Sequence, residues 1–271
     1  MFSSNEPEDS SALISSAVSE PSGQTGDKNS INLSTEQYAA LNTKTLQDLR
    51  DNAKNTTKEN TGLSEKYFAA PLSSDNTHSI VHTYGKYNSN EQNYDAEMQF
   101  SDGCKYYKMT LYNGTDSSFD GYIYKDNKIY WFRDNQKEYV DITDCEDEYV
   151  FGLPDYSSGE IGEPSECGEC VYDGKQMKYE LFLVSTRAIV TYFYNDKAYM
   201  LETYIDDSKD SSEAAEVTPE NAELSKYILI SYTKPETELS VDPSLYELPK
   251  EYKEITIDEL SRELFSSTDS E

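Results

Sequence analysis

Two hydrophobic periods divide the chain. Between residues 35 and 54, Tyr38, Leu41, Thr45, Leu49 and Ala53 recur every three or four positions, the spacing that lines one face of an α-helix. Ser34 and Gln37 offer a capping box at its start, where each side chain satisfies the other residue's backbone N–H. "NTTKENTG" ends the pattern. The prediction is one long amphipathic helix laid by its apolar stripe on a larger surface.

From about residue 77 the period falls to two. In "NYDAEMQF", Tyr94, Ala96, Met98 and Phe100 share one side, and Asn93, Asp95, Glu97 and Gln99 the other. Such alternation marks a half-buried strand of an antiparallel sheet. "CKYYKMTLY", "FDGYIYKD", "KIYWFR", "KQMKYELFLV", "AIVTYFY", "AYMLETYI" and "KYILISYT" read as further strands. Asp102-Gly103, Asn113-Gly114, Asp126-Asn127, Asp173-Gly174 and Asn195-Asp196 separate them, and these residue types accept the positive φ of tight hairpins. Eight to ten hairpin-linked strands make a meander rather than a β-α-β winding. The polar stretches 144–167 and 206–223 interrupt it. Near the end, Pro243 and Pro249 forbid regular structure in "VDPSLYELPKEYKEI", so Leu245, Tyr246 and Leu248 are expected to latch over the sheet. Thr256 and Glu259 cap a short terminal helix.

The expected fold class is therefore α+β: a curved, half-barrel antiparallel meander packed on one long N-terminal helix and short helices. Residues 1–31, rich in Ser, Glu, Pro and Gly, cannot bury enough surface to offset their ordering entropy and are expected to form a disordered tether. Residues 32–256 form one domain, and residues 257–271 a short helix and tail.

Composition narrows the function classes. The 271 residues carry 52 acidic and 23 basic side chains, a net charge of −29, which repels nucleic acid and anionic membranes and draws cations or basic partners. The 24 tyrosines suit half-wet strands. No run of 18 apolar residues is present. The tether-like start reads as that of an exported chain whose signal, with a lipid-bearing cysteine, has been removed; the protein is expected at the cell surface as a monomer.

Cys104, Cys145, Cys167 and Cys170 are even in number and allow three pairings. Structural disulfides are the expectation, placing the chain in an oxidising compartment. A zinc site and a redox pair at Cys167-Gly168-Glu169-Cys170 are the alternatives. His78 and His82 would share a strand face but lie ~13 Å apart along it, too far to clamp one ion. No G-x-S-x-G elbow, P-loop or G-x-G-x-x-G occurs. Trp131, with Tyr130 and Phe132, reads either as a sugar platform or as a packed strand. These observations predict no enzyme, no metal and no cofactor.

The remaining candidate is the apolar side of the sheet. Met98, Phe100, Met109, Leu111, Ile123, Leu181 and Leu183 would either line an apolar cleft or fill a closed core. Asp173-Gly174 with Tyr179-Glu180, the strand carrying Ile189, Tyr192 and Phe193, and the ending Asp242-Pro243-Ser244-Leu245-Tyr246-Glu247-Leu248-Pro249 together resemble the LolA-like superfamily of bacterial lipoprotein carriers and related Gram-positive surface lipoproteins. The ending is similar to a recurring D-x-S-x-F-x-x-P pattern, with Tyr246 in place of Phe. The resemblance spans about residues 33–256 and implies a half-barrel sheltering an acyl chain, lipid or lipoprotein tail without catalysis. The alternative is a surface interaction module with a closed core and no small-molecule ligand.

Overall fold

The chain reverses where the sequence marks its turns. Asp102-Gly103, Asp126-Asn127, Asp173-Gly174 and Asn195-Asp196 all take positive φ, closing two-residue hairpins between the flanking pairs Ser101–Cys104, Lys125–Lys128, Tyr172–Lys175 and Tyr194–Lys197. A computed structural model describes residues 31–69, 76–87, 90–112, 118–144, 163–184, 186–208, 218–220 and 222–266. Cys145, the expected turn at Asn113-Gly114, residues 1–30 of the expected tether and most of the 144–167 and 206–223 stretches lie outside them.

Among the described residues thirteen strands form one sheet. The first meander runs through β2 (Thr77–Tyr87), β3 (Asn90–Ser101), β4 (Cys104–Leu111), β5 (Ser118–Lys125), β6 (Lys128–Arg133) and β7 (Glu138–Asp141). The second runs through β8 (Glu166–Tyr172), β9 (Lys175–Val184), β10 (Arg187–Tyr194), β11 (Lys197–Ile205) and β12 (Ile228–Glu236). The two join where β12 pairs with β2. The outer edges are exchanged: β1 (Lys54–Thr57) pairs with β8 of the second meander, and β13 (Lys253–Glu254) runs parallel to β7 of the first.

The expected long helix is absent, and the α+β class built on it is corrected to a mainly-β fold. Helix α1 spans Thr35–Ala40, and α2 spans Leu46–Asn52. The capping box forms as expected, with Ser34 Oγ accepting from the Gln37 amide at 3.2 Å and Gln37 accepting from the Ser34 amide at 2.8 Å. The helix then stops because the sheet competes for the backbone. Asn42 enters the left-handed region at φ 61°. The Asn42 amide donates to the Leu229 carbonyl, the Leu229 amide to Lys44, and the Leu46 amide to Tyr227. Helix α2 starts afresh with Asp48 accepting from the Thr45 amide at 2.7 Å. Periodicity fused the two because both turn their apolar residues toward the same sheet.

That covered side is called the front face. Leu46 and Leu49 pack there with Tyr179, Leu181, Val190, Tyr192, Tyr204 and Tyr232, each leucine contributing about 2 kcal/mol of apolar burial. Farther along the same face, the C-terminal latch buries Tyr246 and Tyr252 against Tyr106, Ile123 and Phe132. The Gln99 amide clasps the latch backbone, donating to the Asp242 carbonyl at 2.8 Å and accepting from its N–H at 2.6 Å. Helix α3 (Ile257–Ser266) begins at the expected Thr256–Glu259 box, and Leu260 joins Val140, Ile142 and Ile255 on the back face.

Candidate functional site

Between α1, α2 and the edge of the second meander lies a pocket of about 260 Å³. Gln37 and Ala40 of α1, Lys44, and Asp48, Leu49 and Asn52 of α2 form one wall. Cys170, Val171 and Tyr172 of β8, followed by Asp173, form the other, with Tyr192, Glu202 and Tyr232 beneath.

Its deepest polar feature is Glu202. Strand alternation puts this glutamate on the front face between Met200 and Tyr204, where it is fully buried. Lys44 donates to both of its oxygens, at 2.7 and 2.8 Å. The hydroxyls of Tyr192 and Tyr204 donate to Oε2 at 2.7 and 2.5 Å. Burial first, and then the Glu202 charge, holds both phenols far above their ordinary range. They remain neutral donors, as a buried carboxylate requires.

Lys44 also lies against aromatic faces. Its Nζ sits 5.4 Å from the ring centroid of Tyr172 and 6.0 Å from that of Tyr192, within cation–π reach. The two rings stack at 4.1 Å. Tyr199 meets Tyr172 edge-on at 6.3 Å, and Tyr194 meets Tyr199 at 6.5 Å. Lys175 caps this outer end, 4.5 Å above Tyr199, and the Tyr199 hydroxyl donates to Asp173 at 2.7 Å. A row of four tyrosines thus runs from the buried core past the pocket to the surface, with an ammonium group at each end.

Two further buried glutamates anchor the N-terminal segment. Glu166, on the front face, accepts from the Tyr179 hydroxyl at 2.5 Å and from Arg50 of α2. Glu180, on the back face, accepts from the Thr61 hydroxyl and from the amides of Leu63 and Ser64 at 3.1 and 2.9 Å. Residues 34–67 therefore wrap the β8 edge. The helices lie in front, β1 pairs along the edge, and Tyr67 packs on Phe193 behind.

The seven residues expected to line an apolar cleft do not share a surface. Met98, Phe100, Met109 and Leu111 fall on the back face of β3 and β4. Ile123, Leu181 and Leu183 fall on the front, in two separate clusters. Met98, Phe100, Ile123, Leu181 and Leu183 are buried, and Met109 and Leu111 half-buried. Trp131 stacks on Tyr122 at 6.4 Å on the back face, while Tyr130 and Phe132 face the front, so the three make no platform.

The expected disulfides are corrected too. Cys104, Cys167 and Cys170 are free thiols, and the fourth, Cys145, lies outside the described residues. Three positions apart on one strand, Cys167 and Cys170 point to opposite faces: Cys170 packs beside Met177 in front, and Cys167 lies opposite Glu180 behind. Burial pushes both thiols up to about 11, the reverse of what thiolate chemistry needs.

His78 and His82 each have their own carboxylate. His78 Nε2 lies 2.8 Å from Glu97, and His82 Nδ1 lies 2.8 Å from Asp95, so the two rings do not converge on one point.

Lys44, Tyr172 and Glu202 were not singled out from the sequence, and Tyr192 entered only through the family resemblance. A signal existed: in "AYMLETYI", Glu202 shares parity with Met200 and Tyr204, and an acid in the apolar register of a strand demands a buried partner. A scan against models of known protein families finds no match to this chain, and neither does a search of curated proteins.

Proposed function

We propose that this chain is a non-catalytic binding protein displayed at the cell surface on an N-terminal tether, with the tyrosine-lined pocket as its ligand site. The observation that carries this reading is the pocket itself, a concave space with aromatic walls and convergent polar groups. The ionisable groups around it favour binding over chemistry. Glu202 is saturated by Lys44, Tyr192 and Tyr204, and the Cys170 thiol is held protonated by burial. Neither is poised as a base or nucleophile. The resemblance to lipoprotein carriers supports a sheltering role and a surface location.

A thermal-shift screen of small molecules against the protein and its Tyr172→Ala variant tests the reading. Compounds that raise the melting temperature of the parent and not of the variant support it. Hits that stabilise both equally place binding elsewhere.

A second reading keeps the apolar ligand and moves it to the back face. There Met98 and Phe100 cluster with Tyr107, and Met109 packs against them. The Tyr107 hydroxyl is buried without a hydrogen-bond partner among the described residues, an arrangement that a polar ligand head would relieve. Displacement of a fluorescent fatty acid, weakened by Met98→Asp and unchanged by Tyr172→Ala, would favour this site.

A further inference from the structure

We infer that the pocket recognises an alkylammonium group, the chemistry of a free polyamine or of a lysine side chain. The inference rests on the pocket being the ligand site and names the class of ligand that fits it. Three observations converge. The first is charge: Glu36, Asp48, Asp173 and Glu202 line the pocket, where Lys44 is the one cation among the described residues, in a chain whose net charge of −29 draws cations toward it. The second is the aromatic wall. The half-buried Tyr172 ring, stacked on the buried Tyr192, lies beside these carboxylates, and the negative face of a phenol ring attracts an ammonium at close range.

The third is that the protein places its own ammonium groups on this row of rings. Lys44 Nζ sits over Tyr172 and Tyr192 while bonded to Glu202. Lys175 Nζ sits over Tyr199 and Tyr194, 3.2 Å from the Tyr199 hydroxyl. Within the pocket, Tyr172, Asp173 and Glu36 offer the same pairing of ring and carboxylate. An amine entering there would meet ring and carboxylate together, as Lys44 and Lys175 do. A neutral sugar would stack on the rings and gain nothing from the net negative wall. A fatty acid would bring its carboxylate against Asp48 and Asp173.

Calorimetric titration at low salt with spermidine, trilysine, maltotriose and decanoate tests this. The variants are Asp173→Asn, which changes an exposed side chain, and Tyr172→Ala, each checked for the parent's circular dichroism. Spermidine or trilysine is expected to bind, about tenfold more weakly to Tyr172→Ala and several-fold more weakly to Asp173→Asn, with affinity falling as salt rises. Tighter binding of spermidine assigns a free polyamine, and tighter binding of trilysine a lysine-bearing peptide. Amines that bind the parent and both variants equally are surface counterions and overturn the inference. Maltotriose or decanoate binding lost in Tyr172→Ala, with silent amines, overturns the cation while leaving the pocket as a ligand site. Silence from all four probes also overturns the cation, and the pocket reading then stands or falls on the thermal-shift screen.

Discussion

Lys44 is the residue on which the pocket and the stability of the fold meet. It neutralises a fully buried carboxylate while its own side chain is 23% exposed. Removing one partner of a buried pair leaves the other uncompensated. Lys44→Met is therefore expected to cost about 3 kcal/mol in chemical denaturation. Adding Glu202→Gln should recover part of that loss, because the orphaned charge goes with it. Independent, additive costs would show that the pair is not coupled.

His82 supplies a pH dependence of known sign. Its hydrogen bond to Asp95, aided by the charges of Asp95 and Glu236, raises its pKa above the ordinary value, against opposing contributions from burial and Lys234. A pKa raised in the folded state stabilises the protein below the unfolded value and ceases to do so as pH rises through the folded one. The melting-temperature deficit of His82→Gln should accordingly be larger near about pH 5.5 than near about pH 8. A deficit equal at both would show that the imidazolium contributes nothing. The thiols make a simpler case. Cys167 and Cys170, buried and held protonated, should resist alkylation in the native protein and react fully on unfolding, as read by peptide mass mapping. Rapid native labelling of Cys170 would mean that the helices do not stay closed over it.

At the scale of elements, the seam between the two meanders is a tightly packed place. Gly85 of β2 faces Ser231 of β12, and a Cβ added there would lie 2.6 Å from the Ser231 Cβ and 2.9 Å from the Ile230 carbonyl oxygen. Gly85→Ala is expected to destabilise the protein by about 1–3 kcal/mol, with Ser231→Gly recovering a part. An unchanged denaturation midpoint would show that the seam gives way easily. Strands and hairpins were legible because alternation and turn chemistry are local. Asp126-Asn127 needs no distant partner to accept positive φ. The helix break was not legible, since Asn42 leaves the helix to bond Leu229, nearly two hundred residues away in sequence. The pocket was hidden for the same reason: Lys44 and Glu202 come together only after β8–β12 have assembled. Alternation also could not tell which side of each strand was front. Met98 and Leu181 both sit in clean apolar registers, yet they face opposite sides of the sheet.

Across the whole molecule, residues 34–67 act as a wrap around the β8 edge, tied by Glu202 and Glu166 in front and Glu180 behind. An open sheet edge invites pairing with other chains. Here β1 covers it with four exposed polar residues, and the pocket is the space that the front half of the wrap leaves unfilled. Glu202, one of the carboxylates that hold the wrap in place, thus also lines the pocket. The most direct test of this account is amide chemical-shift mapping of the isotope-labelled protein with a compound that stabilises it. The account predicts perturbations clustered at Gln37, Lys44, Val171, Tyr172 and Asp173. Perturbations gathered instead at Ala96–Phe100 and Tyr107–Met109, with the pocket residues unmoved, would contradict it.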